Sequence, residues 1–379
     1  GKPIKKIEFN NRKAATSSRI PLSVTAPADA PRYVGRVIEG LDATRTTPDW
    51  MKERLRRSGL HSLGSIVDVT NFVMLELGQP LHAFDLRTVR EGIVVRHARR
   101  GETLTLLNGT KLQLVPTTLV IADQGAPIGL AGVMGGQSSS VGENTQTIFL
   151  ESAYFRPDIV ASCAREYGLQ TDASYRFERG VDSSQQRRAV LRASALLVQI
   201  CSGLPGPICE VSTAGFLPKK KPILLRRQRL DRVLGVRVPA TKIQRILTNL
   251  DMNPAKHSAG WKVQPPLYRF DLESEHDLVE EVARLHGFIN IPSRAPHTAA
   301  SRGLGREEEM PIDRLQDYLI DRDYTEVMTY SFVDGALQAR VDPNTRGVEL
   351  SNPIASNMNV MRTTLWPGLL HAVDINHRR

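Results

Sequence analysis

TLTLLNGTKLQL, residues 103–114, alternates apolar and polar side chains on either side of Asn108-Gly109, a dipeptide that reverses two strands because both positions tolerate positive φ. Short apolar runs separated by turn residues surround it: GIVVRHA at 92–98, LVIAD at 119–123, PIGLAGV at 127–133 and TIFLES at 147–152. Runs of this length and spacing predict strands of a sheet. TPDWMKERLRRSG at 47–59 reads as a helix, with Pro48 in the first turn, basic residues in the last turns and Gly59 at the end. A second helix is expected over 67–77, stopped by Gly78, and a third from Asp182 to Ile200, where Asp182 and Gln185 have capping-box spacing. The sum is a sheet-rich α+β domain over 33–205, preceded by a polar linker at 1–32 with one short strand near 21–24.

Downstream, LPGPICEVSTAGFLPKKKP at 204–222 carries four prolines that resist continuous helix, and it reads as a boundary. A smaller α+β domain is expected over 220–292, as a basic strand, a helix at 241–250, a strand at 261–263 and a helix at 277–286. A linker with Pro292, Pro296 and Gly303 leads to a third unit over 300–379, with a helix at 313–322 and strands in MTYSFVD and RGVELSNP. A chain of 379 residues is long enough for two or three such cores.

Composition narrows the class. The hydrophobic fraction of 41% and charged fraction of 24% are those of a soluble globular chain, which excludes disordered and fibrous classes. No apolar run reaches the length of a membrane span, so no membrane is expected as a partner. The opening GKPIKKIEFNNRK lacks the apolar core of a signal peptide, and the expected compartment is the cytoplasm. Cys163, Cys201 and Cys209 form neither a CxxC pair nor an even set and read as spare or buried thiols. The formal net charge of +10 favours a polyanionic partner. Between Lys219 and Arg245 stand ten basic residues and one acid, Asp231. That stretch is either a track for a phosphate backbone or a solvated basic face.

Two constellations carry chemistry. In the first, DVTNFVMLELGQPLHAFD at 68–85 joins AGVMGG at 131–136, LESAYF at 150–155 and LQTDASYRFERGVD at 169–182, with small and polar positions at element ends where cavities form. Gly135 allows close backbone approach, and Thr171 and Ala173 leave room for an aromatic side chain. His82 and Glu151 are suited to ordering a water, against the plainer reading of His82 as a residue capping the turn after Pro80. No Ser or Cys is paired with a base, so covalent catalysis is not indicated. The second constellation is RFDLESEHDLVEEVARLHGF at 269–288. There Glu280 and Glu281 follow Asp277 at i+3 and i+4, and Asp271 is one short loop away. Hard oxygen ligands in that number suit Mg²⁺; the alternative is that acids in a first helical turn complement the dipole, with Arg284 pairing Glu280.

Seven strings occur in one order: VDVTNFVMLELGQPLHAFD, LAGVMGG, LESAYFRPDIV, TDASYRFERGVD, DLVEEVARLHGF, EVMTYSF and MRTTLWPGLLHAV. In that order they resemble the beta subunit of bacterial phenylalanyl-tRNA synthetase over most of the chain. The resemblance implies an editing domain at 33–205, a winged-helix-like domain at 220–292, and from 300 the opening of a class II synthetase-like antiparallel-sheet domain without its own catalytic motifs. It implies that His82 and Glu151 flank a scissile tyrosyl ester and its water, with Thr70 and Asn71 nearby and Gly135, Thr171 and Ala173 shaping a tyrosine pocket. It further implies Mg²⁺ at Asp271, Asp277, Glu280 and Glu281, shared with an alpha subunit in a heterotetramer that uses ATP to charge tRNA(Phe).

The sequence departs from the family pattern in places. His61 stands where relatives carry arginine near the pocket, which is expected to weaken contact with the tRNA end. Asp323 stands where a turn glycine is usual. The family's terminal RNA-contacting domains have no counterpart in these 379 residues, so the sequence is expected to be part of a longer chain. Two rivals to an editing hydrolase follow: a catalytically silent structural and RNA-binding portion of the synthetase, and a nucleic-acid regulator built on the winged-helix-like domain. The regulator is the weaker, because no helix has an obvious base-reading face.

Overall fold

In the computed structural model, which describes residues 13–293 and 310–378, the hairpin at Asn108-Gly109 forms. Gly109 takes φ +82°, the left-handed conformation that costs glycine least. The chain divides into two units, Gly1–Arg294 and Ala295–Arg379. The first unit opens with β1 (Leu22–Val24), β2 (Arg32–Glu39), α1 (Asp49–Arg57), α2 (Ser65–Leu77), β3 (Leu81–Asp85) and β4 (Ile93–His97). It continues through β5 (Thr103–Thr105), β6 (Lys111–Gln113), β7 (Leu119–Ala122), β8 (Pro127–Leu130), β9 (Met134–Gly135) and β10 (Ile148–Tyr154). Then come α3 (Pro157–Glu166), α4 (Asp172–Arg179), α5 (Gln186–Cys201) and β11 (Leu204–Ser212).

One sheet has the order β11-β2-β10-β3, all antiparallel, and a second has the order β1-β4-β7-β8-β9. Side-chain alternation gives the first sheet two buried faces. Val34, Ile38, Ala83, Ile148 and Leu150 pack on one face against α1, α2 and α5. Tyr33, Val37, Phe84, Phe149 and Ala153 pack on the other, against the second sheet and α3. β10 is buried at every position, Glu151 and Ser152 included, so its sequence does not alternate apolar with polar as a half-exposed strand would.

The structure differs from the sequence reading in specific places. Of the proline-rich segment 204–222 taken for a boundary, the first part is strand β11 and residues 213–222 form the connection; the ladder of β11 shifts register between Pro205 and Ile208, and prolines are tolerated at an edge because no outer neighbour needs their N–H. The capping box at Asp182 does not form. Asp182 instead accepts bonds from the amide and hydroxyl of Ser184, and the helix starts at Gln186. Helices α3 and α4 were not anticipated, although Pro157 at the first position of α3 and the capping box of Thr171 and Ser174 on α4 were both legible.

The remainder of the first unit is β12 (Ile223–Arg226), α6 (Arg227–Leu234), α7 (Ala240–Asn249), β13 (Ala255–His257), β14 (Gly260–Val263) and α8 (Glu275–His286). Leu225, Leu230, Ile243, Leu247, Val263 and Val282 form its core. In the second unit α9 (Ile312–Ile320) is followed by β15 (Phe332–Val333), α10 (Gly335–Val341), β16 (Val360–Met361) and α11 (Trp366–His377). Only two residues of MTYSFVD pair, with β16, and RGVELSNP supplies a single bridge at Glu349, so propensity alone does not make strands without partner strands. Asp323 adopts φ +63°, a left-handed turn conformation that favours glycine. Pro296 and Gly303 lie outside the described residues.

Gly35 shows how tightly the central sheet is filled: a Cβ built there would be 2.0 Å from Cζ of Phe149. Gly35→Ala is therefore expected to destabilise the chain by about 1–3 kcal/mol in denaturant unfolding. Gly142→Ala, where an added Cβ meets nothing within 4 Å, should be close to neutral. Equal midpoints for the two variants would contradict this packing.

Candidate active site

Glu151 on β10 and His82 on β3 are direct cross-strand partners. Both lie on the face that carries Phe84, Phe149 and Ala153, so two polar side chains interrupt an otherwise apolar layer at one spot. With Met134, Gly135, Ala173 and Phe177 they line a hollow of ≈ 70 Å³. That volume suits water and is well below the roughly 300 Å³ at which ligand pockets begin.

Glycine at 135 is required by the imidazole, since a Cβ there would lie 2.5 Å from Cε1 of His82. α4 supplies Ala173 and Phe177, and its N-cap residue fixes the helix to the neighbouring turn: Oγ1 of Thr171 accepts from the amide of Ser174 and donates to the carbonyl of Val133. Thr171 thus caps and tethers rather than lining the hollow. Thr70 and Asn71 do not line it either. They stand on α2, which packs through Val69, Phe72 and Val73 against the other face of the sheet, and the Thr70 hydroxyl is spent on the carbonyl of Val67. His61 is likewise elsewhere, in a surface groove with Asp49, Lys52 and Arg56.

Burial governs the electrostatics of the pair. Glu151 is 5% exposed, and desolvation pushes its carboxyl up to about 8, partly offset by a hydrogen bond that the Tyr33 hydroxyl donates to Oε2 at 2.8 Å. Desolvation pushes His82 down to about 4. Its ring packs edge-on to Phe84 and its Nε2 is sealed from solvent without a hydrogen-bond partner. A half-buried neutral imidazole whose sealed nitrogen is unused, facing a carboxyl that is mostly protonated at pH 7, is equipped to hold a water or a substrate oxygen. Tyr33 was missed in the sequence; the one available signal was its place on the same face of β2 as Val37. The cysteines are free, with Cys163 and Cys201 buried.

The acids of the second constellation do not converge. Arg269 bonds Asp271 at 2.7 Å and Glu281 at 3.0 Å, and Arg284 pairs with Glu281 rather than Glu280. Asp277 is the third residue of α8 and accepts from the amides of Glu273 and Ser274 as part of the helix cap. Glu281 is buried and Glu280 exposed, because successive helical residues point apart. An arginine fills the place a cation would take, so these four residues do not fit Mg²⁺ in this arrangement, and among the described residues no group of three or more His, Cys, Asp or Glu could hold a metal. The basic stretch is also less free than its composition suggested: Arg226 and Arg229 pair with Glu275, and Arg227 with Asp231. No helix among the described residues is long and apolar enough to cross a membrane.

Comparison with known proteins agrees with this organisation. A family model described as a B3/4 domain matches residues 29–202, a tRNA synthetase B5 domain matches 223–288, and a phenylalanyl tRNA synthetase beta chain CLM domain matches 291–379. The chain is 50% identical over 359 residues to a phenylalanine–tRNA ligase beta subunit of Nitrosococcus oceani, covering 95% of this chain and 45% of the relative. It is 47% identical to the Methylococcus capsulatus protein of the same name over 100% of this chain and 48% of the relative. The chain therefore spans about half the length of the curated relatives it matches. A solved N-terminal fragment of the Pyrococcus horikoshii phenylalanyl-tRNA synthetase beta-subunit overlaps 74% of this chain and 78% of its own at 13% identity, with a TM-score of 0.35, too low to bear on the fold.

Two expectations follow. Glu151 holds its proton more tightly folded than unfolded, so its contribution to stability is complete below pH 4.5 and is lost as pH rises through about 8. His82 runs the other way: its contribution is present above pH 6.5 and lost as pH falls through about 4. Glu151→Gln should therefore abolish the part of the fall in unfolding free energy between pH 6.5 and 8 that wild type shows, and an unchanged slope would mean the carboxyl is not buried as described. For the acids, millimolar Mg²⁺ should leave the melting temperature of the chain unchanged; a rise would show the carboxylates released from Arg269.

Proposed function

Because the chain belongs to the family of phenylalanine–tRNA ligase beta subunits, we propose that its first unit hydrolyses the ester linking tyrosine to tRNA that accepts phenylalanine. The observation that carries this reading is the pairing of Glu151 with His82 in an otherwise apolar layer, with an imidazole nitrogen shut off from solvent and left unpartnered. Burying two such groups costs free energy that packing does not repay, and a water-ordering site accounts for it.

The aminoacyl ester is already activated, so placing a water against it, with help from the neighbouring ribose hydroxyl, suffices for turnover. His82, neutral at physiological pH, offers Nε2 to that water. Glu151 in its acid form donates to the phenol oxygen of tyrosine. Phenylalanine would leave that donor unpaired at a cost of about 1–3 kcal/mol, or roughly five- to 150-fold in selectivity. The hollow of ≈ 70 Å³ is of a size for water, and a phenol ring enters only if the wall that includes His82 and Phe177 moves outward. In the larger assembly the chain supports an alpha subunit that charges tRNA(Phe) with the use of ATP. No step here passes through Mg²⁺, because Asp271 and Glu281 are engaged by Arg269, Asp277 by the cap of α8, and Glu280 points away to solvent.

The small size of the hollow favours a second reading, a silent structural and RNA-binding portion of the ligase. Incubating the purified chain with tyrosyl- and phenylalanyl-tRNA(Phe) separates the two. The hydrolase reading expects faster release of tyrosine, reduced at least about tenfold in His82→Ala and in Glu151→Ala. Gly135→Ala should also slow it, by displacing the imidazole. Turnover that is absent, or untouched by both truncations, leaves the structural reading.

A further inference from the structure

Resting on that hydrolase reading, we propose that Tyr33 is a positioning residue of the site: its hydroxyl, bonded to Oε2 of Glu151, leaves the acid proton to Oε1 and so makes Glu151 a fixed hydrogen-bond donor toward the hollow. Tyr33 is 0% exposed and lines none of the hollow, so it acts through Glu151 alone. Its reach depends on register. Gly35, not Tyr33, is the residue of β2 opposite Glu151, while Tyr33 is opposite Ala153. With no side chain at Gly35, the diagonal neighbour two residues away extends to the carboxyl, a span that long aromatic side chains cover.

A carboxylic acid that accepts a hydrogen bond at one oxygen keeps its own proton at the other. Burial and the adjacent carboxyl raise the phenol of Tyr33 well above its ordinary range, so it remains a donor whatever the state of Glu151. The titratable groups that face Glu151 are few: Tyr33 from β2 and His82 from β3. The walls from β8, β9 and α4 contribute glycine, aliphatic, methionine and phenylalanine side chains and no titratable group. Among the described residues, Tyr33 is thus the side chain whose hydrogen bond bears on the Glu151 proton. The bond favours the charged carboxylate, so its loss should extend the acid form to higher pH.

The test is Tyr33→Phe, read in two ways. Without substrate, the fall in unfolding free energy that Glu151→Gln removes should move to higher pH. With tyrosyl-tRNA, kcat at pH 7 should drop about fivefold, the equivalent of one buried hydrogen bond, and the alkaline limb of the pH profile should move in the same direction. An unmoved titration overturns the proposal. A shifted titration in a chain whose wild type releases no tyrosine supports the Tyr33–Glu151 coupling and overturns only the hydrolase reading. Should Tyr33→Phe fail to fold, the infrared carbonyl band of the Glu151 acid, identified by its loss in Glu151→Gln, is followed in chain labelled with fluorotyrosine. Its more acidic hydroxyl should lower the pH at which the band disappears, and no change in that pH would count against the proposal equally.

Discussion

The pairing of β10 with β2 on one side and β3 on the other is the constraint from which the site follows. Because both faces of this strand are buried, its register is strongly specified: a slip of one residue would move Phe149 and Ala153 to the helix-packed face and Leu150 to the other. The same slip would carry Glu151 away from His82 and away from Tyr33. Packing energy spread over many apolar side chains therefore fixes the positions of three polar ones. The site needs no flexible loop to bring its groups together, since adjacent strands already do so.

Three polar groups in an apolar layer are tolerated because they are arranged without net charge. Desolvation pushes the carboxyl up and the imidazole down, so at neutral pH an acid largely protonated faces an imidazole that is uncharged. An ion pair in the same place would need further hydrogen bonds to offset the removal of two charges from water. The neutral arrangement costs less and keeps both groups able to donate or accept, which is the property a site for ordering water requires. Arg269 illustrates the alternative solution in the same unit: there Glu281 stays charged inside the protein because two guanidinium groups surround it.

Local signals were legible and distant pairings were not. The turn at Asn108-Gly109, the stop at Gly78 and the helix opening at Pro48 act over a few residues, and each appears where the sequence placed it. The candidates His82, Glu151, Gly135 and Ala173 also come together; small and polar positions at element ends grouped them in the sequence, and the resemblance gave them roles. Tyr33 could not be found that way, because its role depends on the register of two strands more than a hundred residues apart in sequence. The 219–245 stretch, which the sequence left open between a phosphate track and a solvated face, shows the same limit: the acid that pairs Arg226 and Arg229 is Glu275, outside any local window. Thr171 was read as pocket furniture when its N-cap position already explained it.

Two glycines connect these observations. Gly35 leaves room for the ring of Phe149 and lets Tyr33 extend diagonally to Glu151; Gly135 leaves room for the ring of His82. Neither takes a positive φ, so backbone freedom explains neither, and what each supplies is the missing Cβ. A side chain at either position would push an aromatic or imidazole ring into the hollow's wall, and close packing in the layer gives the ring nowhere else to go. The absence of two methyl-sized groups thus determines where an imidazole and a carboxyl point, and the chemistry proposed for the site depends on that geometry more than on any exceptional reactivity of the residues themselves.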